Sequence, residues 1–136
     1  PGESIGRPGH PEGTHTNGYD IDLAYYQSGT ADNRARPVCE HYDGSSDAYH
    51  CVGQPTELDP WRTAMFIATL NHHSGLRVIG VDGRIGPMVV MAIETLCEDG
   101  WLDGEACARV PLAYEQTDQG YGWFRFHHHH FHVSFE

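Results

Sequence analysis

The alternation of apolar and polar positions predicts three strands along the chain. "YDIDLAYY" at residues 19–26 alternates and is rich in aromatic side chains, which is typical of a half-buried strand. "LRVIGVDG" at residues 76–83 is a short apolar run that ends in a turn, and it predicts a buried strand. "WFRFHHHHFHVSFE" at residues 123–136 predicts a last strand made of aromatic, histidine and β-branched residues.

Two segments between these strands have the spacing and the end signals of helices. The first begins at Pro60, because Asp59 is a good N-cap acceptor and proline suits the first helical position ahead of "WRTAMFIATL". The second spans residues 85–100, with Pro87 near its start and Gly100 just past its end. The order strand, helix, strand, helix, strand predicts an α+β fold with a small antiparallel sheet flanked by helices.

The connection over residues 27–60 is long, polar and rich in turns, and it contains two of the four cysteines. The cysteines are Cys39, Cys51, Cys97 and Cys107. Three pairings are possible, and we favour Cys39–Cys51 with Cys97–Cys107 because each closes a short loop that contains turn residues. A zinc site made of four cysteines is the alternative, but no pair has C-x2-4-C spacing.

An even number of cysteines favours an oxidising compartment, so we expect a periplasmic or secreted protein.

Length and charge limit the classes of function. The 136 residues suit one compact domain over 1–136, and no apolar run is long enough to span a bilayer. The net charge is −11 and every basic residue is arginine, which argues against a nucleic-acid partner because a phosphate backbone requires a basic face. The opening "PGESIGRPGHPEG" has no signal-peptide pattern, so an exported protein would be present here in a mature or trimmed form.

Histidine is unusually frequent, with 11 residues, and one of them stands at ligand spacing from a carboxylate. His15 is followed by Gly18 and Asp22 in the pattern H-x-x-G-x-x-x-D. His15 would lie on the loop that enters the first strand and Asp22 within that strand. A tight turn at Asn17-Gly18 would fold the imidazole back over the carboxylate.

The last strand supplies further imidazoles on one face. Because side chains alternate along a strand, His130 and His132 point the same way, while Phe131 and Val133 face the core. Two histidines and one aspartate, drawn from the loop and strand that carry His15 and Asp22 and from this distant strand, form an open three-ligand site, which leaves a position for water as catalytic zinc sites do.

Two segments together resemble a known family. "GHPEGTHTNGYDID" and "HHHHFHVSF", in this order, are similar to the two halves of the LAS-type zinc metallopeptidases, which include lysostaphin-like enzymes, D-Ala-D-Ala peptidases and the hedgehog domain fold. The similarity is greatest to the penicillin-insensitive murein endopeptidases. "RVIGVDGRIGPMVVMAIETLC" also resembles the strand and cysteine-ended helix of that family. The resemblance covers most of residues 6–26 and 61–135 and implies a hedgehog or D-Ala-D-Ala peptidase-like fold.

The resemblance implies roles for six residues. The Zn2+ ligands would be His15, Asp22 and His132, with His10 as an additional ligand or close neighbour. His130 would be the catalytic histidine and His127 a second active-site imidazole. The gap between His10 and His15 is longer than is usual in the family. Asp20 shares the strand face of Asp22 and could orient His15 or another ligand.

These assignments predict a zinc-dependent peptidoglycan hydrolase that cleaves cross-link or stem peptides containing D-amino acids in a bacterial cell wall. One alternative is a non-catalytic zinc domain of the same fold that binds a protein or glycan. Another is a histidine-rich metal-binding protein without peptidase activity. The presence of His130 beside the ligands favours catalysis, because a degenerate site usually loses its acid-base group.

The run of four histidines has a simpler interpretation, which is an affinity tag. The run is short for a tag and continues into the strand-like "FHVSFE", which favours the metal-site interpretation. His128 and His129 have no counterpart in the family motif, so we expect them to be exposed or to lie at a strand edge. Trp123 is expected to be a packing residue, with a position lining the substrate groove as the alternative.

Overall fold

A computed structural model describes residues 18–32, 34–42 and 49–136. Its elements are β1 (Asp20–Ala24), β2 (His41–Tyr42), β3 (His50–Cys51), α1 (Pro60–Thr69), a 3-10 turn (Leu70–His72), β4 (Leu76–Gly80), α2 (Gly86–Glu98), β5 (Leu112–Ala113) and β6 (His130–Phe135). The predicted α+β class and the order of the longer elements are confirmed. The likeness to the hedgehog or D-Ala-D-Ala peptidase fold stays a prediction.

The main sheet has the strand order β1-β6-β4-β5, and β2 pairs with β3 in a separate two-stranded sheet. β6 runs antiparallel to β1 and to β4, whereas β5 runs parallel to β4. The prediction of an antiparallel sheet is therefore wrong at one edge. The reason is the crossover through α2, which returns the chain to the start of β4 so that β5 runs in the same direction.

One face of the main sheet packs against both helices and forms the core. The buried core includes Ile79, Phe131 and Val133 of the sheet, Ala64 and Ile67 of α1, and Val89 and Ala92 of α2. Phe131 and Val133 therefore face the core as the alternation predicted. Burying the side chains of Phe131 and Val133 stabilises the fold by about 1.5–3 kcal/mol each, which holds β6 firmly at the centre of the sheet.

Both helix-end predictions are confirmed. The carboxylate of Asp59 accepts a hydrogen bond from the amide of Arg62 at 2.9 Å, and Pro60 is the first helical residue of α1. Gly100 follows α2 with φ of 77°, and its amide donates to the carbonyl of Cys97 at 3.1 Å. That left-handed conformation suits glycine, which has no Cβ to clash.

Both favoured disulfides are present. Cys39–Cys51 has a Cα–Cα distance of 5.6 Å and joins the approach to β2 to the end of β3. Cys97–Cys107 has a Cα–Cα distance of 5.9 Å and ties the last turn of α2 to the loop after it. The two bridges fit a secreted or periplasmic protein. In the described ranges, none of the helices has the length and apolar character needed to cross a membrane.

The last strand is shorter than predicted, because β6 begins only at His130. Phe126 has φ of 73°, a left-handed conformation that a strand cannot contain. The carboxylate of Glu115 also accepts hydrogen bonds from the amides of Gln119, Tyr121 and Trp123, at 2.8, 3.3 and 2.6 Å. These contacts hold residues 119–129 in an irregular path, so the first three histidines of the run lie outside the sheet.

Candidate functional site

The sheet face opposite the helices brings acidic residues of β1 next to imidazoles of β6. Asp22 and His132 are directly opposite each other in the β1–β6 register, so their side chains share this face. Oδ1 of Asp22 lies 2.9 Å from Nδ1 of His132, and Oδ1 of Asp20 lies 3.1 Å from Nε2 of the same ring. The structure thus joins two of the residues assigned to the metal, which are 110 positions apart in the chain.

His130 lies beside this pair. It is buried, and its Nε2 is 3.6 Å from Oδ2 of Asp22. Its Nδ1 is 2.5 Å from Nδ1 of His129, which is half-buried. His129 therefore contacts the candidate catalytic imidazole directly, a contact that the family motif did not suggest.

His127 and Trp123 form a wall next to these imidazoles. His127 is buried, and its ring centroid lies 5.4 Å from that of His130 and 5.7 Å from that of Trp123. The indole of Trp123 covers Gly80 of β4, where a Cβ atom would lie 2.1 Å from the ring. The Trp123 centroid is also 6.1 Å from that of His132, so this residue both packs on the sheet and borders the candidate site.

His10 and His15 lie outside the described residues, so the structure describes only Asp22 and His132 among the predicted metal positions. Over residues 18–32, 34–42 and 49–136, no three or more His, Cys, Asp or Glu side chains form a group that could hold a metal ion. The zinc assignment therefore stays a prediction.

The chemistry of the two described residues nevertheless fits zinc. A carboxylate oxygen and an imidazole nitrogen are both ordinary zinc ligands. Burial alone would lower the pKa of His132, but hydrogen bonds and charge from Asp22 and then Asp20 raise the pKa of that ring above its usual value. Asp20 faces the Nε2 side of the ring. It thus supplies the carboxylate partner that a metal-binding histidine ordinarily has.

His128 is buried, so the prediction that it is exposed or lies at a strand edge is wrong. Its ring stacks at 4.8 Å on His41 and at 4.4 Å on His129, and Tyr49 lies at 5.7 Å. Burial, and next the neighbouring imidazoles of His129 and His41, lower the pKa of His128 to about 3. The cause is tertiary: the disulfide-bridged segment around β2 and β3 covers this part of the histidine run.

Two residues that hold the backbone of the site, Tyr25 and Asp82, were not predicted from the sequence. The hydroxyl of Tyr25 donates to the carbonyl of His127 at 2.9 Å and accepts from the amide of Asp82 at 3.2 Å. Oδ2 of Asp82 accepts from the amide of Cys51 at 2.9 Å. The one signal for Asp82 was its position as a carboxylate directly after a buried strand, in "VDGR".

Comparison of the chain with protein-family models, curated proteins and solved structures found no match. The resemblance to zinc metallopeptidases thus rests on the two motifs themselves. Within the described residues, the candidate chemistry lies in the carboxylates and imidazoles that β1 and β6 bring together.

Proposed function

We propose that this domain is a zinc-dependent murein endopeptidase that cleaves cross-link or stem peptides containing D-amino acids. The observation that carries the proposal is the pairing of Asp22 with His132 across β1 and β6, with Asp20 and His130 in contact with the same pair. The substrate class comes from the family resemblance. The two disulfides support export to the periplasm or beyond the cell.

Asp22 and His132, together with His15 and His10, would hold the Zn2+. When bound, the ion polarises a carbonyl and lowers the pKa of its water to about 7. Asp20 keeps the ring of His132 oriented through the contact at Nε2.

The remaining steps belong to the imidazoles of the histidine run. His130 is buried next to Asp22, where it takes a proton from the attacking water and gives it to the departing amine. The ring centroid of His127 lies 5.4 Å from that of His130. His127 supplies a second imidazole, which stabilises the negative charge that develops on the carbonyl oxygen of the peptide. Trp123 limits the access of bulk water to this face, because its ring lies against His127 and His132.

The test combines zinc analysis with hydrolysis of purified peptidoglycan and defined muropeptides, with mass spectrometry of the released fragments. We expect one Zn2+ per chain, and hydrolysis that a chelator abolishes and added Zn2+ restores. His130→Ala should keep zinc and lose roughly 10²- to 10⁴-fold in rate, as removal of a general acid-base group does. Asp22→Ala should lose zinc, and His73→Ala, which changes an exposed histidine, should behave as the wild type.

The outcomes separate the alternatives. Unchanged zinc occupancy in Asp22→Ala would show that the metal assignment is wrong. Full hydrolysis by zinc-loaded His130→Ala would remove the catalytic role from that residue. Zinc binding without hydrolysis of any muropeptide would instead favour the non-catalytic domain that binds a protein or glycan.

A further inference from the structure

A buried hydrogen-bond network lies directly behind the candidate site. Tyr25 is 2% exposed and follows the last residue of β1. Its hydroxyl uses both its donor and an acceptor position, bonding the carbonyl of His127 and the amide of Asp82. This single hydroxyl therefore joins the end of β1, the turn after β4 and the histidine run.

Asp82 extends the network to the disulfide-bridged segment. Its two carboxylate oxygens accept from the amides of Cys51 and Arg84, at 2.9 and 2.8 Å. Asp82 is 1% exposed, and that burial raises the pKa of its carboxyl. The Asp82 amide, which donates to Tyr25, thus belongs to a turn that is held in place by its contact with the Cys51 segment.

The backbone around His127 depends on contacts of this kind, because it lies before the start of β6. Phe126 is in the left-handed region with φ of 73°, and its amide donates to the carbonyl of Tyr49 at 2.6 Å. The carbonyl of His128 accepts from the amide of Val38 at 3.1 Å. A non-glycine residue keeps a left-handed conformation only where the surrounding contacts enforce it.

We infer that Tyr25 is a positioning residue: by holding the His127 carbonyl, its buried hydroxyl sets where the His127 imidazole lies beside His130. The inference rests on the proposed function, in which His127 takes part in hydrolysis. Replacing Tyr25 with Phe keeps the ring, which packs 5.7 Å from Phe131, but removes the hydroxyl. Two buried backbone groups then lose their partner, and the backbone must shift to find another.

The first measurement compares Tyr25→Phe with Tyr26→Phe, the same change at the adjacent and more exposed tyrosine. We expect kcat of Tyr25→Phe to fall by about tenfold or more, because a displacement near 1 Å can cost about 10²-fold. KM should stay within about twofold and zinc content should be unchanged, because the ligands are not moved. Tyr26→Phe should match the wild type in kcat. Wild-type kcat in Tyr25→Phe would overturn the inference.

A double-mutant cycle tests that Tyr25 acts through His127. In the His127→Ala background, Tyr25→Phe should cause no further loss of kcat, because the imidazole that it positions is gone. An equal loss in both backgrounds would overturn the inference. Val89→Ala, a core change in α2, controls for lowered stability and should leave kcat unaltered at a temperature where the protein is folded.

A third readout does not depend on activity. In NMR spectra, Tyr25→Phe should shift the ring resonances of His127, while those of the exposed His73 stay in place. Unchanged His127 resonances would overturn the inference. If wild-type protein hydrolyses no muropeptide, the proposed function fails, and the NMR comparison still decides the positioning of His127 by Tyr25.

Discussion

The neutral His128 inside the histidine run predicts a specific loss of stability in acid. Its pKa is lowered from 6.5 to about 3, first by burial and next by the imidazoles of His129 and His41. Because the folded state disfavours the proton, full stability is present above pH 6.5 and is lost as the pH falls from 6.5 toward 3. At about pH 5, which lies roughly 1.5 pH units below 6.5, the free energy of unfolding is lower by about 2 kcal/mol, because each pH unit contributes ~1.36 kcal/mol.

His128→Phe isolates this contribution. The phenyl ring keeps the stacking on His41 and Tyr49, and Nδ1 of His128 has no hydrogen-bond partner among the described residues, so none is lost there. Between about pH 7.5 and pH 5, the free energy of unfolding should fall by about 2 kcal/mol more in the wild type than in the variant. The sign follows because only the wild type gains a proton at this position on unfolding.

The assay is urea unfolding followed by tryptophan fluorescence, with both disulfides intact and a chelator present. Removing metal matters because the release of a bound ion on unfolding would add its own pH dependence. His73→Gln, at an exposed position, should keep the wild-type pH dependence. If His128→Phe lost stability in acid as steeply as the wild type, the explanation from a buried neutral imidazole would be wrong.

Two further predictions concern the wall of the site and the second disulfide. Gly80→Ala places a Cβ 2.1 Å from the Trp123 ring, so the indole must leave the sheet. We expect a shifted tryptophan fluorescence maximum and slower hydrolysis, with zinc retained. An unchanged fluorescence spectrum would contradict this prediction. Replacing Cys97 and Cys107 with Ser opens a loop with a sequence separation of 10. This change should cost about 3 kcal/mol in urea unfolding, and an unchanged midpoint would contradict the expectation.

Local sequence signals predicted most of the regular structure. Asp59 with Pro60 and Gly100 mark helix ends through short-range chemistry, so their roles were visible without a fold. The period-2 alternation placed Phe131 in the core and His132 on the opposite face, because adjacent strand residues must point to opposite sides. The same alternation placed Asp20 and Asp22 together on one face of β1.

The extent of the last strand could not be predicted in the same way. Residues 123–129 have strand-like composition, but the left-handed Phe126 and the contacts of Glu115 prevent them from pairing. The parallel edge strand β5 is only two residues long and carries too little pattern to be recognised. In both places distant contacts outweigh the local preference.

The sequence by itself determined which residue types face each side of β1 and β6, where the helices end and which cysteine pairs close short loops. Only the tertiary structure decided that β1 lies next to β6, that His128 is covered by the β2–β3 segment, and that the Tyr25 hydroxyl meets the His127 carbonyl 102 positions away. The physical reason is range: periodicity and caps act within a few residues, whereas neighbouring strands and buried hydrogen bonds depend on how the whole core packs.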